Sequence, residues 1–337
     1  MNPIYTFAVD ERASLEDSLV ELQANPYKDY DDFSAAIRGL IERGAVPASF
    51  VTACSRIKDQ RSRAETYAHL LSNCPLDYDI PLFDQDNPVQ DKYAQKSTYA
   101  GEGMLELLAQ LTGTPLLAYA TRNNGDFFHD VYADNRYRRT QTQKTDGELF
   151  WHNDRTAHPV RADYLALLGM RCPTDDLVYT GYIDGRELLR HLPADSQALL
   201  RRAEFVTPFD EYSRDANQRQ VISEPHEVLE NEHSFRYYDT RTRPADTTSA
   251  PHFAVLMELR DALARTEEQY HRIQYRDLLV IANQDGLHCR KMVDIRHPET
   301  TRQRWLLKTY AFRNEQAASA HVDAHVDAWL GGVRVAD

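Results

Sequence analysis

Apolar residues recur at helical spacing along much of the first hundred residues. Positions i, i+3, i+4 and i+7 share one face of a helix, and this spacing occurs in residues 15–22, 33–41, 61–71 and 102–111. Gly44 is placed to end the second segment, and the Pro- and Asp-rich stretch 75–88 is typical of a loop. We therefore predict a helical N-terminal part over residues 1–112.

Beyond residue 112 the pattern changes to short apolar and β-branched runs bounded by Gly, Asn, Asp and Pro. These runs predict strands over residues 116–120, 127–132, 164–170, 178–181, 278–283 and 305–312. Helical stretches over 185–203 and 254–269 interrupt them. The order predicts a β-sandwich or jelly-roll core with a helical jacket. Near the C-terminus, His321 and His325 stand at helical spacing, which we interpret as a solvated helix face.

The composition narrows the classes of partner. Of 337 residues, 39 are Lys or Arg and 52 are Asp or Glu, so the formal net charge is −13. Such a chain lacks the positive surface that attracts nucleic acids and anionic membranes, but suits a small cationic ligand. No apolar run approaches the roughly 18 residues of a membrane span, and the N-terminus lacks the pattern of a secretory signal. With four cysteines and no CxxC pair, a reduced cytoplasmic protein is expected.

The densest cluster of chemically active side chains lies in residues 147–155. His152 and Asp154 stand two residues apart there, so on a strand both side chains point to one face. An imidazole and a carboxylate on one face can bind a metal ion together, and the 2-His-1-carboxylate arrangement requires one more histidine. Such a pair also arises by chance, and the open alternative is a surface turn in which Asp154 pairs with Arg155 or Arg161.

A second histidine with suitable surroundings lies far along the chain. The apolar strand over 278–283 leads through a turn to His288, and Arg290 follows two residues later. Further on, Arg304 and Lys308 stand four residues apart, and hence on the same face of a strand. A cation that points into a β-core is costly unless it meets an anion, and a guanidinium suits a bidentate carboxylate.

Together these motifs resemble those of the iron(II)/2-oxoglutarate-dependent dioxygenases. The order is HxD, a long gap, a strand and turn before His-x-Arg, and then a further Arg. Within these enzymes the chain is most similar to the clavaminate synthase-like, TauD-related group that hydroxylates free amino acids, above all over residues 142–171. The resemblance covers about residues 116–314. It implies a mainly β fold with helices, in which a double-stranded β-helix (jelly-roll) core carries an N-terminal helical jacket and inserted helices.

The resemblance also assigns roles around the metal. It implies that His152, Asp154 and His288 bind Fe(II), and that 2-oxoglutarate and O2 are cosubstrates. Arg304 would bind the distal carboxylate of 2-oxoglutarate, with Thr180 hydrogen-bonded to the same group. Where relatives often carry a second Arg for the substrate's α-carboxylate, this chain has Lys308, which keeps the charge but not the planar fork. The division of roles between Arg304 and Lys308 therefore stays open.

Residues 234–246 are similar to a strand and lid whose acidic side chains bind basic substrates in the amino-acid hydroxylases. Asp239 is the candidate for the positive end of the substrate, and Tyr237 or Tyr238 for the wall of the pocket. A structural ion pair of Asp239 with Arg236 or Arg241 is the open alternative. Two other polar side chains, each of which could equally belong to a turn, are substrate candidates: Asn123 and Gln143.

The resemblance implies hydroxylation of an unactivated C–H of a free amino acid. The acid of the motif, Asp154, is the one found in the relatives resembling lysine hydroxylases. A cationic substrate suits both the acidic chain and Asp239, so L-lysine is the favoured substrate, giving hydroxylysine, succinate and CO2. Related halogenases carry Gly at this position, so hydroxylation is favoured over halogenation. One alternative is hydroxylation, desaturation or cyclisation of another amino-acid-derived or carrier-bound substrate. Another is a jelly-roll binding protein without catalysis.

A site assembled from His152 and His288 requires both halves of the chain in one β-core. We therefore expect a single domain over residues 1–337, with a helical part over 1–112, a jelly-roll core over 113–315 and a lid insertion around 205–250. The expected partner is a small amino acid rather than a nucleic acid or a membrane, and a homodimer is allowed.

Overall fold

The computed structural model describes residues 1–322 and 331–336. The expectation of a solvated helix face that includes His325 therefore falls outside the described residues. Among the described helices, none is long and apolar enough to cross a membrane.

The described residues form strands and helices in a mixed order. The strands are β1 (Tyr5–Thr6), β2 (Ala68–Ser72), β3 (Leu116–Tyr119), β4 (His129–Val131), β5 (Leu149–His152), β6 (Tyr164–Arg171), β7 (Leu177–Asp184), β8 (Phe205–Val206), β9 (Leu229–Glu230), β10 (Ser234–Phe235), β11 (Arg243–Pro244), β12 (Gln269–His271), β13 (Leu278–Ala282), β14 (Gly286–Asp294), β15 (Trp305–Ala311) and β16 (Gly332–Val335). The α-helices are α1 (Val9–Val20), α2 (Tyr30–Glu42), α3 (Ala48–Ser62), α4 (Pro88–Gln95), α5 (Ala100–Thr112), α6 (Gly185–Arg190), α7 (Ala194–Leu200), α8 (Glu211–Ala216), α9 (Ala250–Arg265), α10 (Pro298–Thr301) and α11 (Glu315–Ser319).

The larger sheet has its apolar centre in β13, β6 and β15. Its strand order over the described residues is β1-β2-β13-β6-β15-β3-β16, and β4 pairs with β15 outside this path. Successive side chains of a strand point to opposite faces. In β15, Trp305 and Leu307 accordingly pack with the N-terminal helices, whereas Leu306 and Tyr310 belong to the core on the other face. Because both faces are covered, β13 and most of β6 are apolar rather than alternating with polar residues, whereas β15 also carries Lys308 and Thr309.

The N-terminal helices cover the outer face of the larger sheet through α5. This helix contacts α1, α2 and α3 on one side and β6 and β15 on the other. Buried residues lie all around it, as expected for a helix enclosed by other elements. Gly113 ends α5 in the left-handed conformation, with φ of 66°, which glycine adopts without a steric cost.

The smaller sheet contains β5 and β14, which carry the two histidines of the metal-binding motif. Its order is β12-β7-β14-β5. β14 pairs with β7 over most of its length and with β5 near His288. The segment that contains β8, α8, β9, β10 and β11 packs with α9 around Phe205, Leu229 and Phe235. This segment, called the insertion below, covers the residues over which the lid insertion is predicted.

Most sequence-predicted elements are present, and one needs correction. The strands predicted over 164–170, 278–283 and 305–312 correspond to β6, β13 and β15. The helix predicted over 61–71 is wrong beyond its first two residues: α3 ends at Ser62, and residues 68–72 form β2, which pairs with β1 and β13. The expected all-helical part over 1–112 thus contributes strands to the larger sheet. The predicted helical stretch over 185–203 is divided into α6 and α7.

Candidate active site

The two histidines of the predicted metal motif lie opposite each other on neighbouring strands. His288 of β14 is the register partner of His152 at the end of β5, and their ring centroids are 4.3 Å apart. Backbone O of Phe150 lies 2.7 Å from Nδ1 of His152, so Nδ1 donates and Nε2 remains available as a metal donor. Tyr238 stacks on the His152 ring at a centroid distance of 4.7 Å and fixes its plane.

Asp154 completes the cluster directly after β5. Its Oδ1 lies 3.4 Å from Nε2 of His152 and 3.8 Å from Nε2 of His288. Its Oδ2 accepts a 2.6 Å hydrogen bond from Nζ of Lys308, which also donates to the Tyr310 hydroxyl. Lys308 therefore holds one carboxylate oxygen and leaves the other facing both imidazoles.

Electrostatics favour the protonation states that metal binding requires. Burial raises the pKa of Asp154, but the Lys308 ammonium and the neighbouring imidazoles together hold it well below its usual range. Burial and the nearby His152 lower the pKa of His288 to about 4. The cluster thus offers a carboxylate and a neutral imidazole at neutral pH, the forms that bind metal ions.

Two buried asparagines fix the backbone that carries Asp154. Asn283, after β13, accepts from the Asp154 amide through Oδ1 at 2.7 Å and donates through Nδ2 to the Asp154 carbonyl at 3.1 Å. Asn153 donates to the Gly286 carbonyl at 2.8 Å and accepts from the Tyr237 amide at 2.8 Å. The loop after β5 is thereby joined to the turn between β13 and β14, which positions His288.

The three side chains fit a divalent metal ion with open positions. One donor atom from each of His152, Asp154 and His288 lies within 4.8 Å of the others. Two imidazoles and one carboxylate on one side of a metal form the facial triad of non-haem iron(II) sites. The structure thus brings together all three predicted ligands.

A cavity between the two sheets reaches this cluster and is lined by the predicted 2-oxoglutarate residues. It encloses about 460 Å³ and includes Thr180, Arg304 and Lys308, with Arg290 beside them. Nη2 of Arg304 is buried without a hydrogen-bond partner, and burial lowers the pKa of this guanidinium. Burial and the neighbouring Arg304 lower the pKa of Arg290 to about 9. A pocket lined by the buried Arg304 and the partly buried Arg290 suits an anionic ligand.

A second cavity opens on the other side of the cluster, beneath the insertion. It encloses about 470 Å³, and Gln143, Tyr238, Arg122 and Asp210 are among its lining residues. Gln143 lines both cavities, and neither polar atom of its buried side chain has a hydrogen-bond partner. Arg122 lies 3.5 Å from Asp210, at the start of α8. The cavity thus presents an amide and two opposite charges close to the metal ligands.

Two predicted substrate residues are not among those that line the cavities. Oδ1 of Asp239 accepts from Nε of Arg260 at 2.6 Å and from the Tyr237 hydroxyl at 2.7 Å. This is the structural alternative, with Arg260 of α9 rather than Arg236 or Arg241 as the partner. Asn123 is buried and accepts from the Tyr212 hydroxyl through Oδ1, while its Nδ2 is buried without a hydrogen-bond partner.

Sequence reasoning missed several residues that line the cavities. Arg290 follows His288 by two residues, so strand alternation alone places both side chains on one face. Arg122 directly precedes the predicted Asn123, and the pattern does not distinguish which of the two faces the cavity. Asp210 has no local signal, because it is one of several acids in an irregular insertion.

Two facing sheets with a His-Asp-His cluster at one end are the arrangement of a jelly-roll, non-haem iron oxygenase. The sequence model of a family described as "Taurine catabolism dioxygenase TauD, TfdA family" matches residues 98–310. The chain belongs to this family.

One sequence relative and two solved structures extend the comparison. An enduracididine beta-hydroxylase from Streptomyces hygroscopicus is 32% identical over an alignment of 129 residues, which covers 34% of this chain and 36% of that protein. The matched part thus spans about a third of the relative. A crystal structure of asparagine oxygenase in complex with Fe(II), 2S,3S-3-hydroxyasparagine and succinate has a TM-score of 0.78 at 21% identity, covering 99% of both chains. OrfP in complex with Fe and alpha-ketoglutaric acid has a TM-score of 0.71 at 18% identity, covering 98% of this chain and 99% of that one.

These likenesses confirm the predicted jelly-roll fold and the family resemblance. The cofactor prediction of Fe(II), with 2-oxoglutarate and O2 as cosubstrates, is confirmed by the family, and the His-Asp-His donor set fits the metal. The roles of the individual residues stay predictions.

Proposed function

We propose that this protein hydroxylates a free amino acid with iron(II), 2-oxoglutarate and O2. The observation that carries the proposal is Gln143, whose unpaired amide is shared by two cavities that meet at the His-Asp-His cluster. One cavity is lined by two arginines and suits the dicarboxylate cosubstrate. The other contains groups of both charges and suits a zwitterion.

The protein's own residues bind and orient the reactants. Iron(II) with 2-oxoglutarate and O2 supplies the oxidising power for inserting oxygen into a C–H bond, releasing succinate and CO2. His152, Asp154 and His288 bind the metal from one side, while Lys308 keeps Oδ2 of Asp154 turned away. Arg304, at the far end of the cosubstrate cavity, binds the distal carboxylate of 2-oxoglutarate.

The groups of the second cavity match those of an amino acid. An amide offers both donors and an acceptor, so Gln143 can bind the α-carboxylate or the α-amino group. Arg122 supplies a cation for the carboxylate, and its Nε is buried without a partner. Asp210 supplies an anion for a positively charged group. We assign Lys308 to the positioning of Asp154, because it donates to Asp154 and to Tyr310; its predicted role at the substrate's α-carboxylate stays untested.

We propose a basic amino acid, with L-lysine as the first candidate. Asp210 supports this choice, since a cavity carboxylate is the natural partner of a substrate ammonium or guanidinium. The relatives are named for enduracididine and asparagine, and one neighbour binds (3S)-hydroxy-L-Arg. Lysine therefore has to be compared directly with arginine, enduracididine and asparagine.

Succinate release measured over a panel of amino acids tests the proposal. The protein is reconstituted anaerobically with iron(II), supplied with 2-oxoglutarate and O2, and assayed with each common amino acid and with enduracididine. We expect one or a few to stimulate succinate release, with mass spectrometry showing a product 16 Da heavier. If no free amino acid stimulates turnover while 2-oxoglutarate still binds, the substrate is of another class, such as a carrier-bound residue.

Matched variants of the insertion test the substrate carboxylate. Asp210→Asn should raise the KM for a basic amino acid about tenfold or more and leave the KM for 2-oxoglutarate within about twofold. Asp246→Asn removes an exposed carboxylate of the same insertion and should change neither KM. Asp239→Asn should also leave the amino-acid KM unchanged, and a selective rise there would restore Asp239 to the pocket.

The single domain, the cytoplasmic location and the homodimer stay predictions. The fold places strands from both halves of the chain in one sheet, which agrees with a single domain. The cytoplasmic location and a homodimer rest on the sequence alone.

A further inference from the structure

The structure contains a second arginine at the proposed site of the distal carboxylate of 2-oxoglutarate. Arg290 follows His288 on β14, and its register partner on β7 is Thr180. Cross-strand partners project from the same face of a sheet. Arg290, Thr180 and Arg304 all line the cosubstrate cavity, so two guanidiniums and a hydroxyl enclose its far end.

These two guanidiniums are incompletely paired within the described residues. Nη2 of Arg290 donates to the Thr145 carbonyl at 2.9 Å, but its Nε is buried without a hydrogen-bond partner. Nη2 of Arg304 is likewise buried and without a partner. Among the described residues lining this cavity, the carboxylate is that of Asp154, which Lys308 and the imidazoles already engage.

The nearest other carboxylate is also engaged. Arg290 and Arg304 both line an adjoining cavity of about 320 Å³ that includes Asp146. Asp146 forms ion pairs with Arg302 and, at 3.2 Å, with Arg138. Two neighbouring cations thus share a buried region whose anions have other partners. Such an arrangement is costly without a counterion and favours a ligand that brings a carboxylate.

We propose that Arg290 is a second binding residue for the distal carboxylate of 2-oxoglutarate and acts together with Arg304. The α-oxo acid end of the cosubstrate is directed to the metal ligands, and its other carboxylate lies between the two guanidiniums. Arg290 then selects 2-oxo acids that carry a second carboxylate. This proposal depends on the cofactor set and not on which amino acid is hydroxylated.

Equilibrium binding of two 2-oxo acids tests the proposal without turnover. Dissociation constants of 2-oxoglutarate and 2-oxopentanoate, which has a methyl group in place of the distal carboxylate, are measured anaerobically by calorimetry on the iron(II)-loaded protein without amino acid. Arg290→Gln should weaken 2-oxoglutarate binding about 10- to 100-fold and change 2-oxopentanoate binding less than about threefold. Arg290→Lys should give an intermediate loss, because it keeps the charge without the fork.

Lys291→Gln is the matched control. It removes one positive charge from the next position of β14, on the opposite face, where the exposed ammonium lies near the Tyr270 ring. We expect wild-type binding of both acids. If Arg290→Gln left 2-oxoglutarate binding unchanged, or weakened both acids equally, the proposal would be overturned.

Iron(II) binding by each variant, measured without a 2-oxo acid, should equal that of the wild type. If Arg290→Gln does not fold, Arg290→Lys decides the question. Its preference for 2-oxoglutarate over 2-oxopentanoate must fall, and an unchanged preference would overturn the proposal. A wild-type protein that binds 2-oxoglutarate but hydroxylates no amino acid would contradict the proposed function and leave Arg290 in its role.

Discussion

Asn283 tests how the fold positions the carboxylate of the metal site. Its side chain is fully buried and makes three hydrogen bonds, all to the backbone. Oδ1 accepts from the Asp154 amide at 2.7 Å, and Nδ2 donates to the carbonyls of Asp154 at 3.1 Å and Ala162 at 3.0 Å. Asn283→Ala removes all three bonds and leaves these backbone groups without their partner.

The expected cost follows from these contacts. A hydrogen bond contributes about 1 kcal/mol net, and an orphaned buried group costs about 1 to 3 kcal/mol. Asn283→Ala should therefore lower the free energy of unfolding by about 3 kcal/mol. Because the lost bonds hold the backbone of Asp154, iron(II) binding should also weaken, by about 10- to 100-fold as for other supports of metal ligands.

Two measurements separate these effects. Urea unfolding of the metal-free protein gives the stability change, and anaerobic titration with iron(II) gives the affinity under conditions where the variant is folded. Asn314→Ala is the control, since Asn314 accepts from the Ala317 amide at an exposed helix start. It should cost about 1 kcal/mol and leave the iron affinity unchanged. If Asn283→Ala bound iron(II) as tightly as the wild type, the hydrogen bonds from Asn283 to the Asp154 backbone would not position this ligand.

Two further predictions concern pH and packing. Burial raises the pKa of Asp126 to about 6. Since the folded state then binds more protons than the unfolded state between about pH 4 and 6, this group's stabilising contribution falls as pH rises through that window. From pH 4 to pH 7, the free energy of unfolding of Asp126→Asn should thus rise relative to that of the wild type by on the order of 2 to 3 kcal/mol, measured by urea titration. A difference between the two proteins that does not change with pH would refute this. A Cβ at Gly181 would lie 2.6 Å from Sγ of Cys289, so Gly181→Ala should lower the free energy of unfolding by about 1 to 3 kcal/mol, measured by thermal or urea unfolding. At the control position Gly147 the nearest atom lies at 3.8 Å, so Gly147→Ala should change this free energy by less than about 1 kcal/mol. Equal effects of the two substitutions would contradict the packing argument.

The strands of the central core could be predicted because local sequence and tertiary position agree there. β6, β13 and β15 are short apolar runs between turn residues, and the structure keeps them within one or two residues of the predicted bounds. The helix predicted over 61–71 fails because its second half is a short, mainly apolar run that also suits a strand. Whether such a run is helical or extended depends on its partners, and here β1 and β13 lie on either side of it. Those pairings are distant in sequence and leave no local periodicity.

The metal ligands were accessible to sequence reasoning for a different reason. His152 and Asp154 follow the two-residue repeat of a strand end, and His288 follows an apolar strand and a turn. The structure adds what the motif does not contain, the asparagine bonds that join the loop after β5 to the turn before β14. These connect segments more than a hundred residues apart. Only the folded chain shows that the same hydrogen bonds hold both halves of the motif in place.

Residues of the insertion mark the limit of such reasoning. Asp239 and Asp210 both belong to this irregular segment, and acidity alone does not distinguish their roles. Arg260 of α9 lies 2.6 Å from Asp239 and neutralises it outside the cavities, whereas Asp210 lines the substrate cavity opposite Arg122. If Asp210 binds the substrate as proposed, we expect substrate selection to depend on how the insertion packs against α9, and metal binding to depend on the sheets. It follows that substitutions in this contact should change the preferred amino acid without displacing the iron, and that relatives with the same ligands can act on different amino acids.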